Sequence, residues 1–320
     1  MGMAIRVESL SERFGAEISG VDINRPLDRQ TQREIIDIQN KWGVTVWRDT
    51  GLDDASHIAF SRIFGHVELA PRHSGKPSRM SEPELFDASN LDLAGNIVDN
   101  ESIRLGAKGN RLWHSDSSFM QVRSAQALLL CHEAPPHGGP TWFADTRSAY
   151  EDLPQAMKDK LEGLEAVHSY FWSRRRAGYP YTEEEVDAKP QATHSLIHIH
   201  AGSGRKALFV GAHTRDIVGM DREEGRKLID ELVEWCTQPH YVFAVHYKPG
   251  DMTIWDNLCS LHRGGEYDDT LYRRDMRRTT VRDPLAPPAA IDHFTKMFSA
   301  AGDTPFSPGD AMKERVLTAG

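Results

Sequence analysis

The chain is poor in cysteine, in positive charge and in long apolar runs, and each shortage removes a class of protein. Three cysteines, Cys131, Cys236 and Cys259, stand in 320 residues with no Cys-x-x-Cys spacing. So sparse and odd a set excludes a disulfide framework and suits a reducing compartment. Lysine and arginine number 38 against 47 aspartates and glutamates, a net charge of −9. That balance leaves no basic footprint for nucleic acid, although a few local arginines can still serve an anionic substrate. No stretch approaches the ~20 apolar residues of a membrane span. The N-terminal MGMAIRVESLSERFGAEISG lacks an apolar run of signal-peptide length. Arg6 stands where a myristoylation signal needs Ser or Thr. The expectation is a cytoplasmic protein with no nucleic-acid and no membrane partner. No Ser/Gly-rich linker divides the chain, so one domain with insertions is expected.

What is present reads as many short strands with a few helices. Residues 4–25 read as strand–turn–strand around Gly15 and Gly20. Residues 28–42 read as a helix with Ile35, Ile38 and Trp42 on one face. Residues 44–47 read as a strand and 53–64 as a helix ending near Gly65. The polar segment 66–112 reads as long loops around one or two strands. Strands are expected at 127–131 and 141–144, with a turn at 135–140 between them. Residues 148–164 read as helical, with Pro154 placed in the first turn of a helix starting near Leu153. Residues 173–193, with three arginines and three glutamates in runs, read as a solvated, mobile excursion. Residues 194–213 read as a hairpin turning at Gly202-Ser203-Gly204, whose likeness to a dinucleotide fingerprint fails because strand-like residues follow it. Asp221 caps a helix to Thr237, and strands follow at 241–247, 252–256 and 271–282. The fold class expected is mainly β with peripheral helices (α+β), of jelly-roll type.

One constellation carries chemistry: Trp113-His114-Ser115-Asp116, and far downstream Trp255-Asp256-Asn257 with His262. His114 and Asp116 are two apart, so on extended backbone they project to one side. His262 must be brought in across the 145 residues that follow Asp116. Two imidazoles and a carboxylate fill one face of an octahedral Fe(II) and leave the other open. A zinc hydrolase uses a similar set, so the triad alone leaves both metals open.

The surrounding blocks narrow the choice. The string LWHSDSSF (112–119), then PHGGPT (136–141), WDN with Leu261-His262-Arg263, and Arg274 to Arg278 resemble the taurine dioxygenase family of Fe(II)/2-oxoglutarate-dependent dioxygenases. Order and spacing match from about residue 5 to 283, leaving 284–320 as a C-terminal extension. LWHSDSSF, HAGSGRK (200–206) and GAH (211–213) are similar to the 2,4-dichlorophenoxyacetate dioxygenase branch. The resemblance implies a double-stranded β-helix with His114, Asp116 and His262 at the iron. It implies Thr141 and Arg274 on the distal carboxylate of 2-oxoglutarate, and Arg278 on the anionic group of the substrate. An arginine fork matches a carboxylate, and a hydroxyl adds a donor. Residues 274, 276 and 278 alternate on a strand, so both arginines can face one cavity within ~13 Å, while Arg273 and Arg277 face away.

The resemblance further implies Fe(II), 2-oxoglutarate and O2 as cofactor and cosubstrates, and a homo-oligomer. The cosubstrate is decarboxylated to succinate and CO2 while a C–H bond is hydroxylated. In an aryloxyacetate that carbon bears the ether oxygen, and the hemiacetal collapses to a phenol and glyoxylate. Asp116 points to hydroxylation, because related halogenases lack the carboxylate. Ser117 and His213 are candidate pocket residues, with Arg72 or His73 as further charges. His200 reads as structural, and His194 and His198 take no role. Taurine dioxygenases usually carry a His before the proline where this chain has Ala70-Pro71. A sulfonate or alkylsulfate dioxygenase is therefore the second expectation. A metal-dependent hydrolase or non-catalytic binding protein on the same fold is the third.

Overall fold

The run 127–131 is apolar at every position, so the strand that carries it must be covered on both faces. In the computed structural model, which describes residues 4–70, 78–98 and 108–285, that strand lies inside the largest sheet. The chain begins with the hairpin β1 (Arg6–Ser9) and β2 (Ala16–Ser19). Helix α1 (Arg29–Trp42) follows, with the Asp28 carboxylate accepting from the Thr31 N–H at its start. Strand β3 (Val44–Trp47) runs parallel to β2. Helix α2 (Asp54–Ser61) passes into a 3-10 turn, Arg62–Phe64. After β4 (Phe86–Asp87) come β5 (Ser124–Glu133) and β6 (Thr141–Asp145).

The second half starts with helices α3 (Thr146–Glu151) and α4 (Gln155–Leu161) and strand β7 (Glu165–His168). Helices α5 (Tyr170–Arg176) and α6 (Glu183–Asp187) lead to β8 (Ala192–Ser195). A small hairpin, β9 (Ile197–Ile199) with β10 (Lys206–Leu208), precedes β11 (Thr214–Ile217). Helix α7 (Arg222–Cys236) follows, its first turn capped by the Asp221 carboxylate. The last strands are β12 (Val242–Val245), β13 (Met252–Asp256), β14 (Ser260–Gly264) and β15 (Asp275–Arg282).

The large sheet has the order β1-β2-β3-β13-β5-β15-β4, and a second sheet, β12-β6-β14, faces it in a jelly roll. Alternation sorts the side chains into layers. Ala127, Leu129 and Cys131 of β5, Trp255 of β13 and Met276 of β15 point inward against Phe143 and Val245. Leu128 and Leu130, with Met252, Ile254 and Val281, point outward under Ile35 of α1 and Phe60 of α2. On the far side Ala144 and Leu261 pack beneath α3, α4 and α7. The central strands of both sheets are thus removed from water on both faces, while β1 at the edge stays exposed.

Two expectations are corrected. The helix expected over 148–164 is two helices, and Pro154 is the N-cap of the second, with ψ 144°. Proline lacks the N–H that a continuous helix would use and pushes Leu153 out of helical geometry. The segment expected to be a mobile excursion is ordered. Glu183 accepts from Arg226 at 3.0 and 3.1 Å and from Arg175 and Arg215, while Phe171 and Val186 are buried below it. Its charges pair with one another and with arginines of β11 and α7, where the sequence suggested solvation.

The interior also buries neutral histidines. Burial lowers the pKa of His57 and of His198 to about 4. The unfolded chain protonates both near pH 6.5, so it binds more protons than the fold between there and pH 4. Stability is therefore full above pH 6.5 and is lost as pH falls, by about 1.4 kcal/mol per pH unit for each histidine at most. Urea midpoints should hold from pH 7.5 to about pH 6.5 and decrease from there to pH 4.5. Flat midpoints over that range would show that these rings are hydrated.

Candidate active site

His114 lies on extended backbone beside β14, and the two chain segments exchange a pair of main-chain hydrogen bonds. The His114 N–H donates to the His262 carbonyl at 3.0 Å, and the His262 N–H donates to the His114 carbonyl at 2.8 Å. Directly opposed residues of such a pair share a face. Their rings lie 4.2 Å apart between centroids. Asp116 completes the group, its carboxylate 3.8 Å from His114 Nε2 and 3.5 Å from His262 Nε2. One donor atom from each of the three lies within 4.8 Å of the others, and all three residues are buried.

The protonation states suit a divalent cation. His114 Nδ1 faces the Leu112 carbonyl at 2.7 Å, and a carbonyl only accepts, so Nδ1 carries the hydrogen. That leaves the Nε2 lone pair toward Asp116. Burial lowers the pKa of His114 and takes that of His262 to about 3, which keeps both rings neutral. Burial alone would raise the Asp116 pKa. Arg278 outweighs it and holds the carboxyl well below the usual range. Arg278 Nη1 donates to Asp116 Oδ2 at 2.8 Å. Two neutral nitrogen donors and one anionic oxygen, converging out of water, fit a hard-to-borderline metal such as Fe(II).

The other predicted residues fall along one line. Thr141 pairs with Gly264 across β6 and β14, one alternation beyond the Phe143–His262 pair. It is buried, and its Oγ1 accepts from the Tyr247 hydroxyl at 3.0 Å. Arg274 lies close enough to that hydroxyl and to Cys131 to act on both electrostatically. Arg278 sits four residues on from Arg274, at the Asp116 end, with inward Met276 between them. Arg277 faces the other way, to Asp54, and Arg273 pairs with Glu133. Arg278 thus stands on the Asp116 carboxylate, and Arg274 on the side of Tyr247 and Cys131.

His213 is brought in by Gly211. Gly211 has φ 151°, which side chains rarely adopt, and a Cβ there would press to 3.2 Å from His114 Cα and from the Trp113 carbonyl, so glycine is strongly favoured where the segments touch. The His213 ring comes 5.8 Å from that of His114 and 4.8 Å from Phe119, and burial keeps its pKa well below the ordinary value. Its Nδ1 has no hydrogen-bond partner among the described residues. Ser117, just past Asp116, is partly buried and has φ 55°. Arg72 and His73 lie outside the described residues.

His200 is used internally. Its Nε2 meets Asp256 at 2.9 Å and its Nδ1 meets Ser203 at 2.7 Å. His200, Asp256 and Cys259 form a second converging set. There the imidazole is already committed at both nitrogens, and Arg147 supplies the cation. His194 and His198 bond main-chain carbonyls of Met120 and Leu258. Sequence reasoning missed two contributors: Tyr247, which donates to Thr141, and Asn257, which bonds the Asp116 backbone. Asn257 stands in the Trp255-Asp256-Asn257 motif, so its position was visible and its contacts were not.

A jelly roll that brings together two imidazoles and one carboxylate, with Arg278 on that carboxylate, has the architecture of an iron- and 2-oxoglutarate-dependent dioxygenase. The chain belongs to the taurine catabolism dioxygenase TauD, TfdA family, which it matches over residues 6–280. It is 40% identical over 282 residues to an alpha-ketoglutarate-dependent 2,4-dichlorophenoxyacetate dioxygenase of a Burkholderia species, covering 87% of this chain and 95% of that one. It is 30% identical to the (S)-phenoxypropionate/alpha-ketoglutarate-dioxygenase of Sphingobium herbicidovorans, covering 92% of this chain and 100% of the relative. Among solved structures, AAD-2 in complex with Mn(II) and N-oxalylglycine superposes with a TM-score of 0.79 at 34% identity, covering 89% of this chain and all of the other.

The Arg278–Asp116 contact makes a thermodynamic prediction. Removing Arg278 leaves a buried carboxylate without its cation, which typically costs about 3 kcal/mol. Arg278→Met should destabilise the metal-free protein by roughly that amount in urea unfolding. Mn(II) should recover much of the loss, because the ion replaces the missing positive charge. A variant as stable as its parent, or one indifferent to Mn(II), would contradict the pairing.

Proposed function

We propose that this chain hydroxylates an aryloxyalkanoate such as 2,4-dichlorophenoxyacetate, releasing a phenol, glyoxylate, succinate and CO2. The observation that carries the reading is the convergence of His114, Asp116 and His262 with Arg278 on the same buried carboxylate. The identity to 2,4-dichlorophenoxyacetate and phenoxypropionate dioxygenases supports the substrate class. In this reading His114, Asp116 and His262 hold the metal, and Thr141 and Arg274 hold the distal carboxylate of 2-oxoglutarate. Arg278, Ser117 and His213 meet the substrate. Residues 5–283 form the catalytic domain and 284–320 an extension outside it. Three unpaired, buried cysteines support a cytoplasmic home.

Bound iron, with 2-oxoglutarate and O2, supplies the oxidising power, and the chain supplies placement. Arg278 has five N–H donors, and its Nε has no partner among the described residues. It can therefore keep Asp116 and still meet a substrate carboxylate. His213 is neutral, so it contributes a hydrogen bond and leaves the countercharge to Arg278. Phe119, 4.8 Å from His213 and 5.2 Å from Tyr170 between ring centroids, gives an aryl group an apolar wall. Thr141, which already accepts from Tyr247, keeps its own hydrogen to donate to the cosubstrate. No acid–base triad is required of the protein.

Aerobic turnover with Fe(II) and 2-oxoglutarate tests the substrate. One phenol released per succinate from 2,4-dichlorophenoxyacetate is expected. Succinate formed with sulfite or sulfate, and no phenol, would assign a sulfonate or alkylsulfate oxygenase. For the cosubstrate end, Thr141→Val should raise the KM for 2-oxoglutarate about tenfold, the worth of one hydrogen bond to a charged group, with little change in kcat. An unchanged KM would remove Thr141 from that role.

A further inference from the structure

We infer that Asn257 is a positioning residue that holds the metal-binding carboxylate and one metal-binding imidazole in register. The inference rests on the metal reading of His114, Asp116 and His262. Asn257 is 1% exposed. Its Oδ1 accepts from the Asp116 N–H at 2.9 Å and from the Trp255 indole N–H at 3.1 Å. Its main-chain carbonyl accepts from the Ser115 hydroxyl at 2.8 Å. Its own N–H and Nδ2 both donate to the Ala125 carbonyl, at 2.9 and 3.0 Å. One residue thereby ties the Asp116 segment, the end of β13 and the start of β5 to a single point.

Two of these ties lead to metal-binding groups. Trp255, oriented through its indole N–H, lies 4.7 Å from the His262 ring between centroids. Asp116 is followed at once by Ser117, at φ 55°. A non-glycine residue resists that left-handed conformation. The turn that aims the Asp116 carboxylate is therefore strained, and the Asn257–Asp116 bond opposes its relaxation. An amide fits this position because its oxygen takes two donors while its nitrogen anchors to the sheet. It also brings no second charge beside Asp116.

The inference is tested by titrating the metal-free chain with Mn(II) alone, followed by electron paramagnetic resonance, with His262→Ala as the blank. Asn257→Ala should weaken Mn(II) affinity by about 10- to 100-fold, as loss of a residue supporting a ligand does. Adding Ser117→Gly should restore part of that affinity, because glycine accepts the left-handed turn without help. A residue that only stabilised the fold would lower the unfolding midpoint and leave the affinity of the folded protein and the Ser117→Gly rescue unmoved. Should Asn257→Ala not fold, Ser115→Ala removes only the hydroxyl bond to Asn257 and is expected to weaken Mn(II) several-fold. Mn(II) affinity within twofold of the parent, in whichever of these two variants is measured, overturns the inference and leaves the metal reading intact. An unmodified chain that binds Mn(II) no better than the His262→Ala blank overturns both.

Discussion

The pair of main-chain hydrogen bonds between His114 and His262 is the constraint on which the site depends. It fixes two distant residues opposite each other, and side chains opposed in this way must share a face. Once that bridge forms, Asp116 follows two residues along and reaches both rings. Everything outside the bridge can be understood as what keeps it dry and aligned. Trp255 and Phe143 pack against the His262 ring. Gly211 lets the His213 segment close over His114. The two sheets bury the backs of these residues in an apolar layer.

Burial alone would work against the site, because it would favour a protonated Asp116. Arg278 reverses this by lying 2.8 Å from the carboxylate. The same burial helps at the histidines, which must be neutral to offer a lone pair. One environment thus serves opposite needs, and a single guanidinium makes the difference. Strand β15 carries that guanidinium, and Arg274 stands just before the strand. In our proposal this spacing separates the substrate anion from the anion of 2-oxoglutarate.

Much of this was legible in the sequence, and the reasons differ by region. Helix α1 announced itself by its apolar stripe, and the strand around 127–131 by a run too apolar to face water. Met276 and Arg278 lie within β15, whereas Arg274 stands just before it and a bulge falls between Asp275 and Met276, which the period of a strand does not record. Strand β14 was not read, although it carries His262, because Ser260, His262, Arg263 and Gly264 give no strand-like pattern. Its conformation comes from pairing with β6, a tertiary cause. The charged segment 173–193 looked solvated because the partners of Glu183 lie as far away as Arg215 and Arg226. Pro154 was read correctly as a helix start, and the break before it was missed. Asn257 and Tyr247 act through contacts with residues more than a hundred positions distant, which no local pattern records.

The three buried side chains and the Thr141–Arg274 end must bind iron and 2-oxoglutarate together if the site works as proposed. Anaerobic addition of Fe(II) and then 2-oxoglutarate to the metal-free chain measures this without involving any substrate. A weak visible charge-transfer band that saturates at one iron and one 2-oxoglutarate per chain is the expected result. No band at any ratio, with hydrolytic turnover supported by zinc and independent of O2, would contradict it.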